Sequence, residues 1–485
     1  MMGGGNKKNA RVLPKLRFGE FEAAPDFAKA SSGNWEEKSL GAVGEIVTGT
    51  TPPTVNKEYY EGKFPWITPT DIQKEKNIFS SMKSLTEAGL SRGRRLPRNS
   101  LLVTCIASIG KNAILRKEGS CNQQINAIIP NKENDVDFLY YLIERKKRVL
   151  IRFSGAGGMQ ILNKRDFSKL KFFIPSLPEQ KKIAEFLGSV DAWIENLKSQ
   201  KASLEQYKKG VMQRIFSPCN IHKTHTESHQ LCHSRDPESS RDTRESRTEK
   251  SLSHKNIISE YPGVPEYSHK NESLEDDKWG CNCLRFRDEN GKPFPEWEEK
   301  SLGEITDFYR GRNISRSDIS KKGKQDCIRY GELYTEYGEI IKEIKSKTDL
   351  GKKDNFQGKN NDILIPSSGE TAIDIARASC LLKENVLLGG DINVLRFKQE
   401  QSGAFFAYYF THALNRNIAK MAQGNSVVHL HASHLKTLKI LLPSLPEQQK
   451  IADFLTSLDD TISAKSEEIT HAEQWKKGLM QKMFV

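Results

Sequence analysis

The sequence has few cysteines and no long apolar run. Its eight cysteines are scattered over 485 residues, which is too sparse for a disulfide-stapled domain and favours a reducing, cytoplasmic compartment. The longest apolar runs, such as Leu101 to Ala107, are far shorter than the ~18 residues of a membrane helix. The stretch from Met1 to Lys15 is polar and basic, without the apolar core of a secretory signal. Neither a membrane partner nor secretion is expected.

The common catalytic signatures are also missing. The sequence contains no G-x-x-x-x-G-K-S/T phosphate loop, no Asn/Asp-Pro-Pro-aromatic motif of amino methyltransferases and no G-x-S-x-G nucleophile elbow. The glycines from Gly155 to Gly158 do not follow a strand and open a helix as a dinucleotide loop would, so a plain loop is the better interpretation. We therefore predict no catalytic residues, no cofactor bound by this chain and no metal site.

Charge points to a polyanionic partner. The chain has 75 basic and 62 acidic residues, a formal net charge of +13 and a pI near 9.1. Such a balance favours nucleic acid as the partner. On charge alone, a merely basic soluble protein is almost as good an interpretation.

Two blocks of sequence occur twice. Trp35 to Gly41 (WEEKSLG) recurs letter for letter from Trp297, 262 residues later. The block 175–216 aligns without gaps on 443–484, with 22 of 42 positions identical. Chance does not explain such agreement. The repetition predicts two similar frames, each of which carries a different variable segment.

The repeated blocks 178–216 and 446–484 predict two long helices. A proline stands at each start, where its missing N–H costs nothing, and apolar residues recur at heptad spacing. The predicted seam is Ile183, Leu187, Val190, Ile194, Leu197, Leu204, Val211, Ile215, Ile451, Leu455, Leu458, Ile462, Ile469, Leu479 and Met483. Lys201 interrupts the first seam and Lys465 the second. These lysines either set the register of an antiparallel coiled coil between the two helices or extend to solvent.

The variable segments predict an α+β fold. Short β-rich runs such as 101–106 and 362–366 alternate with helical patterns at 137–152 and 404–421. A few landmarks survive between the copies, among them Ile125-Asn126 and Ile392-Asn393. The predicted domains are an N-terminal segment 1–34, a first globular domain 35–177, helix 178–216, a linker 217–283, a second globular domain 284–445 and helix 446–485.

The segment 217–283 has no counterpart within the repeat. It holds eleven serines, six of the eleven histidines and few large apolar residues, a composition that predicts a disordered linker. Its zinc-binding residue types do not follow a standard finger spacing, so a zinc site is the less favoured interpretation. Those residues are Cys219, His222, His225, His229, Cys232, His233, Cys281 and Cys283.

Both variable segments carry polar residues of the types that read DNA. Arginine suits guanine, whereas Asn and Gln suit adenine, although each such residue is more often a phosphate contact or a plain surface residue. Candidates in the first segment are Thr50, Thr51, Trp66, Lys111, Asn112, Gln123, Gln124, Gln160 and Asn163. Candidates in the second segment are Arg310, Arg312, Asn313, Arg329, Tyr330, Tyr334, Gln423, Asn425 and Ser426.

The layout resembles the specificity subunit of type I restriction–modification enzymes. The resemblance rests on the duplicated WEEKSLG block, the duplicated PSLPEQ block with the K-I-A-x-F-L that follows it, and the shared helix end K-K-G-V/L-M-Q-x-x-F. It covers nearly the whole chain outside 217–283, where a short connection is usual. It implies two target-recognition domains that each read half of a bipartite duplex DNA site, spaced by an antiparallel coiled coil.

The same resemblance implies a non-catalytic subunit within a larger complex. Two methyltransferase subunits and the restriction and motor subunits would join it, and the assembled complex would use S-adenosylmethionine, ATP and Mg²⁺. Two other hypotheses remain at this point. A fused restriction–methylation enzyme is disfavoured by the missing methyltransferase motif. A coiled-coil adaptor without a DNA role is disfavoured by the basic balance and the paired variable segments.

Overall fold

The chain folds into two compact units. The computed structural model describes residues 13–22, 35–73, 75–154, 161–217, 284–353, 355–424 and 426–485. Unit 1 comprises Met1–Ser199 and Ser466–Val485, and unit 2 comprises Gln200–Lys465. The fold class is α+β, as the sequence predicts. Beyond Ser217, the predicted linker and its Cys and His residues lie outside the described residues.

Unit 1 is built around a five-stranded main sheet. The strands of the whole unit are β1 (Glu36–Ser39), β2 (Gly44–Thr48), β3 (Tyr60–Ile67), β4 (Asn77–Ile78), β5 (Ser84–Leu85), β6 (Ser100–Thr104), β7 (Asn112–Leu115), β8 (Ser120–Cys121), β9 (Ile125–Pro130) and β10 (Lys171–Ile174). Its helices are α1 (Leu40–Val43), α2 (Glu87–Arg92), α3 (Val136–Phe153) and α4 (Lys164–Lys169), after which the long α5 (Leu177–Ile215) begins. The main sheet has the order β2-β9-β6-β7-β4, and β1 pairs with β10.

Unit 2 repeats this plan. Its strands are β11 (Glu298–Ser301), β12 (Thr306–Arg310), β13 (Gln325–Ile328), β14 (Ile340–Ile341), β15 (Ser346–Thr348), β16 (Phe356–Gly358), β17 (Ile363–Pro366), β18 (Ser368–Gly369), β19 (Ser379–Leu381), β20 (Val386–Leu388), β21 (Ile392–Phe397), β22 (Val428–His429) and β23 (Lys439–Leu442). The main sheet β12-β21-β17-β19-β14 has the strand order of its counterpart, and β11 pairs with β23.

The helices of unit 2 differ in number from those of the first copy. They are α6 (Leu302–Ile305), α7 (Glu332–Thr335), α8 (Ala372–Ile375), α9 (Gly403–Tyr408), α10 (Asn415–Lys420), α11 (Ala432–Lys436) and the long α12 (Leu445–Met483). The sequence predicts one helix over 404–421, but a π-helical turn at Tyr409–Ala413 separates α9 from α10. Within the described ranges, no helix combines the length and apolarity needed to cross a bilayer.

Apolar residues cover both faces of each main sheet. In β6, Leu101 and Val103 join one hydrophobic cluster, while Leu102 between them joins another. In β17, Ile363 and Leu364 divide in the same way. This follows from the two-residue period of a strand, which turns successive side chains to opposite faces. Both faces of each main sheet are therefore packed against apolar residues, and the exposed polar side chains lie mainly in the loops at its ends.

The two long helices pair antiparallel within each unit. In unit 1, Val190, Ile194 and Leu197 of α5 form a cluster with Ala472 of α12. Ion pairs flank this cluster, from Lys476 to Asp191 (2.5 Å) and from Lys198 to Glu473 (3.1 Å). In unit 2, Lys208 pairs with Asp459 (2.6 Å). Lys208 and Lys476 are repeat equivalents, as are Asp191 and Asp459, so the same bridge occurs in both units.

Part of the predicted seam packs against globular domains instead of the other helix. Ile183 and Leu187 lie in the core of unit 1, and Ile451, Leu455 and Leu458 lie in the core of unit 2. The far ends do the same, since Val211 and Ile215 join the core of unit 2 and Met483 that of unit 1. Ile462, Ile469 and Leu479 are half-buried. The apolar helix–helix cluster therefore involves only part of the predicted seam among the described residues, because the ends of both helices use their apolar stripe to hold a domain.

An aromatic residue at the end of each long helix completes a domain core. In unit 1, the Phe484 ring lies 5.4 Å from that of Phe138 and 6.3 Å from that of Trp35. In unit 2, the Phe216 ring lies 5.4 Å from that of Tyr409. Buried aromatic groups of this size contribute large apolar area to a core. The repeated K-K-G-V/L-M-Q-x-x-F ending is thus a packing element of each unit.

Candidate nucleic-acid interface

Four loops meet at one end of the main sheet in unit 1. They are 49–56 after β2, 105–111 between β6 and β7, 122–124 between β8 and β9, and 161–163 before α4, and we call them the first interface. Backbone hydrogen bonds join them, from Gly49 N to Ile125 O (3.1 Å), Thr50 N to Cys121 O (2.9 Å), Cys105 N to Gln124 O (2.8 Å) and Leu162 N to Cys105 O (2.9 Å).

Unit 2 forms the same four hydrogen bonds at equivalent positions. The loops are 311–315, 389–391, the stretch around Ser367 and 429–431. Together with Arg310, the last residue of β12, we call them the second interface. The bonds run from Gly311 N to Ile392 O (3.1 Å), Arg312 N to Leu388 O (2.9 Å), Ser367 N to Asp391 O (2.8 Å) and Leu430 N to Ser367 O (2.9 Å). Two divergent segments therefore hold their loops with one backbone frame.

A buried asparagine ties the frame together in each unit. The Asn126 side-chain amide donates to Leu162 O (3.3 Å), and that of Asn393 donates to Leu430 O (2.9 Å). Both residues are almost fully buried, where an unpaired carbonyl would cost free energy. This explains why the Ile-Asn landmark survives between otherwise divergent copies.

Replacing Asn393 with alanine is expected to lower the free energy of unfolding by about 1–3 kcal/mol, because it leaves a buried carbonyl without its donor. Denaturant unfolding measures this loss, and faster amide exchange near Leu430 would locate it in the second interface. Asn417, which is exposed on α10, is the matched control, and Asn417→Ala should change stability by less than about 0.5 kcal/mol. Equal effects of the two variants would contradict this role.

The first interface displays mainly uncharged polar groups. The Thr51 hydroxyl donates to Gln123 Oε1 (2.6 Å), and both residues are exposed. Gln124 is half-buried, and its Oε1 accepts from the Asn122 amide (3.0 Å). Lys111 is exposed and adds a positive charge. Behind them, burial raises the pKa of the Cys105 thiol to about 12, so this group stays neutral at physiological pH.

Two candidates of the first segment are corrected by the structure. Trp66 is 6% exposed and its indole N–H donates to Thr50 O (3.1 Å). Asn112 is 5% exposed and its amide donates to Tyr140 O (2.9 Å). Both side chains are buried and bonded to backbone carbonyls of their own domain, so they support the loops but are not exposed to a partner. Thr50 is half-buried, and Asn163 is exposed while its side chain caps α4. Gln160 lies outside the described residues.

The second interface is richer in charge. Arg310 pairs with Asp391 (2.6 Å), and Arg312 and Asn313 are exposed beside it. Arg329, a half-buried residue that pairs with Glu332 (3.6 Å), follows Ile328, whose carbonyl accepts from Gly389 N (2.8 Å). The remaining candidates are exposed or half-buried. They are Tyr330 and Tyr334, whose rings lie 6.4 Å apart, Gln423, which pairs with His429 through the backbone, and Ser426. Asn425 lies outside the described residues.

Sequence reasoning missed a buried clamp that occurs once in each unit. In unit 1, the Arg17 guanidinium donates twice to the Glu179 carboxylate (2.7 and 2.7 Å), which also accepts from the Trp35 indole (3.2 Å). In unit 2, Arg285 and Trp297 make the equivalent bonds to Glu447 (2.8, 3.0 and 3.1 Å). The available signal was the tripeptide Leu-Arg-Phe, at 16–18 and again at 284–286.

The fold and the two interfaces define a class of protein: an internally duplicated frame that presents two different polar loop surfaces. The family model for the type I restriction modification DNA specificity domain matches residues 32–206 and 295–474, which is more than half of the chain. The chain therefore belongs to the family of type I restriction modification DNA specificity domains. One match falls on each repeat, so each unit contributes one member domain.

Named relatives agree along nearly the whole length. The chain is 25% identical to the type I restriction enzyme MjaIX specificity subunit of Methanocaldococcus jannaschii, over 93% of this chain and 92% of that protein. It is 22% identical to the MjaVIII specificity subunit of the same organism, over 92% and 91%. The crystal structure of a type I restriction–modification S subunit from M. genitalium shares the fold, with a TM-score of 0.52 and 17% identity over 98% and 99% of the two chains.

Proposed function

We propose that this chain is the subunit that reads DNA sequence in a type I restriction–modification complex, and that each interface reads one half of a bipartite duplex site. The observation that carries the proposal is the duplicated backbone frame, which holds Thr51 and Gln123 in one unit and Arg310 and Arg312 in the other. One backbone frame that carries different exposed side chains in the two units suits the reading of two different DNA half-sites. The formal charge of +13 supports a nucleic-acid partner.

The relatives support partners of the restriction–modification kind, since they are named as specificity subunits of type I restriction enzymes. We propose that two methyltransferase subunits dock on the frame and that restriction and motor subunits join them. The chain itself is then non-catalytic and holds no cofactor, while S-adenosylmethionine, ATP and Mg²⁺ belong to its partners. This division agrees with the missing methyltransferase and phosphate-loop motifs in the sequence. A fused enzyme and an adaptor without DNA binding are not favoured, because both repeats match a DNA specificity domain.

Reconstitution tests the division of labour. The purified chain, supplied with S-adenosylmethionine, ATP and Mg²⁺, is expected to leave unmodified duplex DNA unmethylated and uncut. Adding the methyltransferase subunits encoded with it should produce methylated DNA, measured by transfer of labelled methyl groups. The same methyltransferase subunits without this chain serve as the control and should give no site-specific product. Methyl transfer by the chain alone would contradict the proposal.

A further inference from the structure

The two interfaces present different chemistry at equivalent positions. Where unit 1 has Thr48 and Gln124, unit 2 has Arg310 and Asp391. In unit 1, the Thr48 hydroxyl donates to Asn126 Oδ1 (2.7 Å) and stays within the domain. In unit 2, the Arg310 side chain is 67% exposed and extends from the end of β12. At the same position of the backbone frame, unit 1 therefore has a neutral side chain that bonds within the domain, and unit 2 has a charged side chain that is exposed.

Asp391 holds the Arg310 guanidinium in place. Arg310 Nη2 donates to Asp391 Oδ1 (2.6 Å), which uses one of the five N–H groups that a guanidinium carries. Asp391 is itself fixed, because its carbonyl accepts the frame bond from Ser367 N (2.8 Å) and its φ of 60° places it in the left-handed region. An oriented guanidinium with N–H groups to spare can bind the O6 and N7 atoms of guanine together.

The Asp391 carboxylate also helps to decide whether the exposed Arg310 contacts a DNA phosphate or a base. A phosphate contact gains nothing from a neighbouring carboxylate, which repels the DNA backbone and weakens the local positive potential. A base contact gains orientation from it, since a guanidinium must be aligned with the base edge to make two hydrogen bonds. The Arg310–Asp391 pair therefore fits reading of a base edge better than attraction to the backbone.

We propose that Arg310, positioned by Asp391, reads a guanine in the half-site bound by unit 2. This inference rests on the proposed function and adds a base and a pair of residues to it. Unit 1 has no equivalent arginine at the frame position, since Thr48 occupies it. The guanine requirement set by this pair thus belongs to one half-site only.

Selection from randomised duplexes tests the proposal with the full chain. The wild-type chain is expected to select a bipartite sequence in which one half-site has an invariant guanine. Arg310→Gln should abolish that preference and weaken binding of the selected duplex by about 10-fold or more, while the other half-site stays unchanged. Arg287→Gln is the matched control, because Arg287 is an exposed arginine of unit 2 whose side chain donates to Gly291 O, away from the second interface.

Salt dependence separates a base contact from a phosphate contact. Arg310→Gln should leave the slope of log affinity against log salt unchanged, whereas loss of a phosphate contact lowers that slope by about 1 and weakens all sequences alike. Asp391→Asn keeps a residue that tolerates the left-handed region and should relax the guanine preference without lowering the slope. A retained guanine in Arg310→Gln, or a uniform loss with a smaller slope, would overturn the inference. If the wild-type chain selects no duplex, the proposed function itself fails.

Discussion

Replacing Glu447 with alanine is expected to lower the free energy of unfolding of unit 2 by about 3–5 kcal/mol. The Glu447 side chain is fully buried, and burial raises its pKa, while the Arg285 guanidinium and the Trp297 indole act in the opposite direction. Truncation leaves the buried indole N–H without its acceptor and removes the carboxylate from the Arg285 guanidinium, whose other partners are the carbonyl oxygens of Phe294 and Pro295. Breaking one side of a buried, hydrogen-bonded ion pair costs this much because the remaining charge is uncompensated.

Denaturant unfolding, followed by tryptophan fluorescence, measures the loss. Glu298→Ala is the matched control, since Glu298 directly follows Trp297 in the repeated WEEKSLG block, but its side chain is 71% exposed and pairs with the exposed side chain of Lys300. Exposed pairs of this kind contribute about 0–1 kcal/mol. Glu179→Ala should reproduce the large effect in unit 1, where the same clamp is present. A loss no larger than that of Glu298→Ala would show that the clamp does not hold the domain.

Exchanging the variable segment of unit 1 is expected to change one half-site completely and leave the other intact. The segment 42–173 of a related specificity subunit would replace the first interface, while the blocks that form the clamp and the long helices stay as they are. The second interface lies wholly within unit 2 and keeps its backbone frame. Recognition therefore changes where the displayed side chains change.

Competition binding measures the exchange. The exchanged chain should bind a duplex that combines the new first half-site with the old second half-site, and should lose at least about 100-fold in affinity for the original duplex, because several base contacts are replaced together. The reciprocal exchange of the segment in unit 2 is the control and should change the other half only. An exchange in unit 1 that altered both half-sites would contradict a separate reader in each unit.

The sequence predicted the frame because the frame is repeated. WEEKSLG forms the same strand and short helix in both units, and the strand pairs in the same way with the strand that precedes each long helix. Repetition also explains the match between the two main sheets, whose strands pair identically although few residues agree. A fold that occurs twice offers two independent readings of each element, and their agreement carries more weight than either pattern alone.

The candidate interface was predicted less completely, for physical reasons. Trp66 and Asn112 carry N–H donors of the kind that can contact bases, yet each donates its hydrogen bond to a backbone carbonyl inside the domain. Heptad spacing identified the long helices but did not show that Ile183 packs on a sheet-containing core, because an apolar stripe looks alike whichever surface covers it. The importance of Glu179 emerged only from its burial beside Arg17.

Mapping the methylated positions in a genome modified by the complete complex tests the central claim most directly. If each unit reads one half-site, the modified sequence consists of two short defined parts separated by a gap of fixed length and unspecified bases. Repeating the map with the chain exchanged over 42–173 should alter one defined part and keep the gap and the other part. A single continuous motif, or modification without a second defined part, would contradict the account.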